Sequence, residues 1–317
     1  MNMLVSENNF EPHVRIRKWF YRISFWLLAL VLLFALIRHA NWNLTLSLLL
    51  DLPLATILFC AGVWILSFVF RAIRFQSEWK NAGRIPFIAA LRATVLHNAA
   101  VLLVPFRVGE LGYPVLVREL INVPWQQCVR SLLWLRFQDG VVLMTLALLI
   151  LPNISLALRF SILFLTVVAL LSTRRYWLNL LRSRHFLISQ LRTFLHQRSD
   201  GWGWLWSICN WVCKLLVVSW MIKSLTHLEI IQSLKGALTG ELSALLPLTG
   251  PAGFGTYEAG VWSGIGLPWS QMNQLMASIF VTHIFFLSVS LLLALIFVLQ
   301  DSFKNFPSKS FRSSANV

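Results

Sequence analysis

Charge is what this sequence has least of. Only 12% of its 317 residues are Asp, Glu, Lys or Arg, and just 12 of those are acidic. A water-soluble chain of this length needs a polar shell that so few charges cannot supply, which excludes an ordinary soluble domain. Cysteine is sparse too: Cys60, Cys128, Cys209 and Cys213 are all there are. Cys209 and Cys213 share a helix face, but no histidine or further cysteine completes a ligand set, so packing is the expected role of all four and no metal or cofactor is expected. No phosphate loop of the form GxxxxGK(S/T) occurs, nor GxSxG or HExxH, which excludes a self-contained ATPase and two familiar hydrolase chemistries. No stretch outside the apolar runs exceeds about 35 residues, below the usual size of a folded catalytic domain.

Apolar residues fill the space the charges leave. The chain is 57% hydrophobic with a mean hydropathy of +0.70, the composition of an integral membrane protein. Six segments are long enough to cross roughly 30 Å of hydrocarbon: 19–38, 52–71, 130–151, 154–173, 202–224 and 272–298. The start of the chain is polar, and no small-residue cleavage site follows its first apolar run, so that run reads as a retained helix with a polar tail over 1–18. The net charge of +15 fits loops held against anionic lipid on the cytoplasmic side; nucleic acid is not an expected partner. The loop 174–200 interleaves basic and apolar residues like an amphipathic helix lying on that interface. Trp202, Trp204 and Trp206 fit an interfacial aromatic belt.

The Lys and Arg count sets direction. Arg15, Arg17, Lys18 and Arg22 hold the N-terminus inside, and Lys304, Lys309 and Arg312 hold the C-terminal tail, 299–317, inside. Arg71, Arg74, Lys80, Arg84 and Arg92 place the end of the second span inside, and the arginines of 174–198 do the same for the end of the fourth. The third span must then start inside, so the segment between residues 92 and 128 begins and ends on one face. Its apolar stretch from Ala93 to Val104 is about 18 Å long as helix, too short to cross. Residues 233–269 are bound by the same arithmetic to enter and leave on the outer face. The expected fold is an all-α integral membrane protein with six full transmembrane helices plus two re-entrant hairpins in an inverted repeat, its halves 19–151 and 154–298. Inverted repeats with broken helices at membrane depth are a transporter signature.

Both hairpins carry chemistry. VPFRVGELGYP, residues 104–114, and LLPLTGPAGFGTYE, residues 245–258, bring prolines and glycines to membrane depth, where irregular backbone is tolerated only if it is buried or lines a wet cavity. Pro105, Gly109, Pro247, Gly250, Gly253 and Gly255 are the expected gate positions. Arg107 adds a planar fork suited to phosphate or carboxylate. A surface loop in which Arg107 and Glu110 pair on the cytoplasmic face is an equally weighted alternative. Arg136 and Asp139 are three apart on one helix face and read plainly as an intrahelical pair facing an interior or cavity. Lys214, near the middle of a span, needs a carboxylate or a water-filled pocket; Glu258 and Glu241 are the candidates, Glu241 the weaker because it could face the outer water. His97, Asn98 and His283 read first as satisfied polar packing. Arg159 reads as an interfacial snorkelling residue.

NAAVLLVPFRVGELGYPVLVREL, then LRFQDG, then LLPLTGPAGFGTYEAG resemble the flippase-like membrane domain of bacterial lysylphosphatidylglycerol synthases, a domain also found in stand-alone proteins. The resemblance covers roughly residues 19–298. Asn98, Pro105, Arg107, Gly109 and Glu110 match the family's Asn…Pro-x-Arg-x-Gly-Glu pattern, Arg136 and Asp139 its Arg-x-x-Asp element, and Pro247, Gly253, Gly255 and Glu258 its last motif, with Ala252 where glycine is usual. His283 lies near a position often held by arginine. The resemblance implies lipid translocation between leaflets; with the topology read above, the expectation is a multi-pass protein of the cell inner membrane with cytoplasmic termini and possible self-association. The expected ligand is an anionic phospholipid or polyprenyl-linked lipid, held in a site of Asn98, Arg107, Glu110, Arg136, Asp139, Lys214 and Glu258 in which Arg107, Arg136 and Lys214 neutralise the headgroup and Asp139, Glu110 and Glu258 balance those charges or carry protons. Lysyl transfer is not implied, because the synthases' soluble aminoacyl-transferase domain is not matched. Two other readings stay open: a membrane-embedded enzyme acting on a lipid headgroup through Asp139, Glu258 and His97, and an accessory subunit of a glycolipid or cell-envelope pathway.

Overall fold

The computed structural model describes residues 42–150, 155, 157–161, 201–245, 253–268 and 271–304, with the side chains of 105–107, 201 and 301–304 outside that description. In chain order the helices are α1 (Trp42–Leu50), α2 (Leu54–Trp79), α3 (Phe87–Leu103), α4 (Gly112–Ile121), α5 (Trp125–Ile150), α6 (Gly201–Thr226), α7 (Ile230–Ser243), α8 (Thr256–Ile265) and α9 (Met272–Lys304), with a 3-10 turn over Pro105–Leu111. Four helices, α2, α5, α6 and α9, are long and apolar enough to cross a membrane, and α3 is a shorter apolar helix. The chain is thus an all-helical, multi-pass membrane protein. The spans expected at 19–38 and 154–173 lie outside the described residues, save for 155 and 157–161, as do the amphipathic loop 174–200, the N-terminal tail and most of the C-terminal one.

Proline starts several of these elements. Pro53, Pro86 and Pro124 stand immediately before α2, α3 and α5. A helix start is where the missing N–H costs nothing, and the proline carbonyls still accept from Ile57, Ala90 and Gln127. The observed helices run past the expected limits. The second span was expected to end at 71 but continues to Trp79, because Arg71 and Arg74 find partners inside the protein. The helix α1 lies between the first two expected spans, and α9 continues to Lys304 rather than stopping at 298.

The α2 and α6 helices pack along their length in opposite directions. Phe59 meets Trp220 at a ring distance of 5.8 Å, and Phe70 meets Trp206 at 6.0 Å. Between them Cys60 lies against the Val217 carbonyl. This pair, with α9, forms the main core around Phe68, Met221, Ile222 and Ile279. A second cluster, Phe75, Trp79, Ala90, Tyr113, Val117 and Cys128, joins the end of α2 to α3, α4 and α5. The outward faces of α2, α6 and α9 expose large apolar residues, among them Leu54, Leu58, Leu216, Leu292 and Leu295, as a lipid-facing surface requires.

The two short-helix pairs are both hairpins. At the first, the tip folds tightly onto the end of α3, leaving no room for a Cβ at Gly109 beside the Ala100 carbonyl. α4 then retraces α3: Tyr113 lies 5.5 Å from the His97 ring, and Val117 shares a cluster with Ala90 and Ala93. At the second, α7 and α8 meet through glycine on both sides. A methyl at Gly236 would come 2.6 Å from Ile265, and one at Gly240 would come 2.5 Å from Val261. Gly260 and Gly264 of α8 abut Ser243 and Thr239 of α7 just as closely. Such small-xxx-small stripes let helix backbones approach in the absence of a hydrophobic driving force.

Candidate functional site

Polar side chains converge where the hairpins meet the long helices. α2 supplies Trp64, Arg71 and Arg74 at helical spacing, so all three look inward. α3 brings His97 and Asn98, the 3-10 turn brings Glu110, and α5 brings Arg136, Gln138 and Asp139. α6 aligns Ser207, Asn210, Trp211 and Lys214 along one stripe, while α7, α8 and α9 carry Glu241, Glu258 and His283.

Asp139 is the most heavily bonded of these. Its Oδ1 accepts from Arg74 at 2.6 Å, Ser207 at 3.0 Å and the Trp211 indole at 3.0 Å, and its Oδ2 accepts from Arg136 at 3.3 Å. Arg74 also donates to Gln138 and to the Leu135 carbonyl. The intrahelical Arg136–Asp139 pair read from the sequence therefore exists, but it is the longer of two ion pairs on that carboxylate. The main partner of Arg136 is Glu110, which accepts from its Nη2 at 2.7 Å and its Nε at 3.0 Å. His97 Nε2 sits 3.2 Å from Arg136 and 3.4 Å from Glu110, whereas its buried Nδ1 has no hydrogen-bond partner among the described residues. The histidine is thus only half satisfied.

Lys214 donates to Glu241 at 2.9 Å and lies over the rings of Trp211 and Trp64, 4.6 Å and 5.2 Å from their centroids. The carboxylate that the buried lysine needed is there, supplied by the residue with the weaker case on sequence grounds. Glu241 does not face outer water because α8 closes over α7 and α6 packs beside it. Glu258 does two other things. Its Oε2 accepts from the Gly255 amide, closing the start of α8, and its Oε1 lies 2.6 Å from His283 Nδ1. Gly255, at φ +89, holds a left-handed conformation that favours glycine.

These groups surround a cavity of about 160 Å³ bounded by α2, α3, the 3-10 turn, α5, α6, α7, α8 and α9. Of the residues expected from the sequence to bind substrate or form the gates, Asn98, Glu110, Arg136, Lys214 and Gly253 line it. Asp139 stands behind Arg136, and Glu258 behind His283, so neither is on the wall. Pro105 and Gly109 form the turn beside it. The Arg107 side chain, Pro247 and Gly250 lie outside the described residues. A model of the lysylphosphatidylglycerol synthase TM region matches residues 22–294. The chain belongs to that family. No curated protein matches it, and no solved structure does.

The lysylphosphatidylglycerol synthase TM region match covers every residue that lines the cavity. Within this family fold, sequence reasoning missed Arg71, Arg74, Asn210, Trp64 and Trp211. Arg71 and Arg74 had been counted as charges at a cytoplasmic helix end. The signal that could have corrected this is their i, i+3 spacing in register with Trp64 and Phe68, which puts them on the buried stripe. His283, read as packing, lines the cavity instead.

Proposed function

We propose that this protein translocates an anionic phospholipid or lipid-linked precursor between the leaflets of the bacterial inner membrane. The observation that supports this best is the cavity itself: charged side chains from two broken hairpins and from membrane-length helices meet in one small polar chamber. Ionisable groups are costly at membrane depth, and in such proteins they mark the path of a polar cargo. The headgroup enters the chamber while the acyl tails remain in lipid. In this reading the full fold has six spans and two re-entrant hairpins in an inverted repeat, with both termini cytoplasmic.

A wider recess of about 820 Å³, lined by Glu78, Lys80, Asn122 and Arg130 among others, reaches Arg74 and Gln138 from one side. A smaller void lined by Arg71, Arg74, His97, Arg136 and Asp139 lies between that recess and the chamber. Charged side chains line this void beside apolar ones, and the Arg74–Gln138–Asp139 bonds close it off from the recess. The hairpin residues Pro105, Gly109, Pro247, Gly250, Gly253 and Gly255 supply the bends on which the two hairpins move. With no ATP-binding motif, transport is downhill or coupled to an ion.

The test is a leaflet-resolved lipid assay in proteoliposomes. Arg107→Ala and Glu258→Gln are expected to slow translocation of phosphatidylglycerol by about tenfold or more, the effect of removing a charged hydrogen-bonding partner in a desolvated site. Equal rates in wild type and both variants would remove these residues from the site. No translocation of any lipid by the wild type, with a new lipid mass species instead, would replace a flippase by an enzyme.

A further inference from the structure

We infer that Arg71 is the residue that receives the oxyanion of the translocated lipid. This rests on the translocation reading and deepens it. Among the described residues, three cations line the chamber, Arg71, Arg136 and Lys214, against two carboxylates, Glu110 and Glu241. Arg136 is committed to Glu110, and Lys214 to Glu241. Arg74, one turn along α2, is committed to Asp139. Arg71 meets only neutral acceptors: its Nε donates to Asn210 Oδ1 at 3.0 Å and its Nη1 to Asn98 Oδ1 at 2.9 Å. No carboxylate forms an ion pair with it among the described residues, and its Nη2 has no hydrogen-bond partner there. A guanidinium withdrawn from bulk water toward amide oxygens alone has no carboxylate of its own, since the acids around it, Asp139 and Glu241, are already bonded to Arg74 and Lys214. The two asparagines fix the plane of the fork and leave one edge for a visiting anion, the geometry in which arginine binds phosphate. The ligand class is a phosphate oxyanion, carried by a glycerophospholipid headgroup, a polyprenyl phosphate or free phosphate.

Arg71 also ties α2 to α3 and α6, so its loss alone would not separate binding from structure. Asn210→Asp does. A carboxylate at this position keeps the tie, strengthens it and cancels the surplus charge. The experiment uses the full chain in dodecyl maltoside micelles, with fluorescence anisotropy of tail-labelled phosphatidylglycerol and, separately, tail-labelled polyprenyl phosphate, each competed with inorganic phosphate. Asn210→Asp and Arg71→Gln are expected to weaken binding of the preferred lipid by about tenfold or more, while Asn210→Asp melts no lower than wild type. Lys223→Gln, an equal loss of charge at the end of α6, is expected to bind as wild type does. Competition by inorganic phosphate at concentrations near those of the lipid would identify free phosphate as the ligand and overturn the lipid assignment. Wild-type binding in Asn210→Asp, or an equal loss in Lys223→Gln, would overturn the role of Arg71 and leave translocation standing. Failure of the wild type to bind either lipid would bring down translocation and this assignment together.

Discussion

Lys214 shows what a single buried charge demands. Its ammonium and the Glu241 carboxylate are 12% and 9% exposed as side chains, so each is compensated mainly by the other. Removing one partner of such a pair strands the other and costs about 3–5 kcal/mol, whereas removing both is close to neutral. Glu241→Gln and Lys214→Met are each expected to lower thermal stability in detergent. The double variant is expected to recover most of that loss, and strictly additive losses would contradict the coupling. That Lys214 needs a carboxylate or a water-filled pocket was legible in the sequence from its place in an apolar run. Which carboxylate was not legible, because the burial of Glu241 depends on α7 being roofed by α8, a contact between residues far apart in the chain. Arg71 was misread for a related reason. A hydropathy run ends where charges begin, but α2 continues for about 12 Å beyond Arg71, and those charges turn inward to partners on other helices.

At the scale of the element, the breaks were easier to read than the boundaries. Pro105 and the glycines around it announced an interruption, and the structure has a 3-10 turn there between two short helices. The tight meeting of α7 with α8 carries its own sequence signal, Gly236-x-x-x-Gly240 and Gly260-x-x-x-Gly264. Its consequence can be tested. A methyl at position 240 collides with Val261 and crowds the Tyr257 ring, so Gly240→Ala is expected to destabilise the protein by about 1–3 kcal/mol. Adding Val261→Ala opens the space and is expected to return part of the loss in a thermal melt. A Gly240→Ala protein as stable as wild type would show that the two helices are looser than drawn.

Across the whole molecule, the arrangement fixes which loops share a side. Asn81 follows α2 and Asn122 follows α4, and both line the wide recess. The loop before the first hairpin and the loop after it thus open on the same recess. Asp51 and Glu229 lie at the other ends of α2 and α6. With the four native cysteines replaced, thiols introduced at 81 and 122 are expected to react with an impermeant reagent from one compartment, and thiols at 51 and 229 from the other. Labelling of 81 and 122 from opposite sides would turn the hairpin into a crossing. This expectation needs only counts of arginine and lysine and the lengths of apolar runs, which is why the sequence alone carries it. The chamber was not legible there, since it arises from eight elements whose inward faces no local pattern specifies.

Asp139 carries the last consequence. Donors from α2 and α6 reach a single oxygen of this α5 carboxylate, while Arg136 occupies the other. Sliding any of these three helices past another by even one residue would pull several charge-assisted bonds apart at once. The trio therefore behaves as a stator: any motion within the molecule is expected to leave α2, α5 and α6 in fixed register with one another.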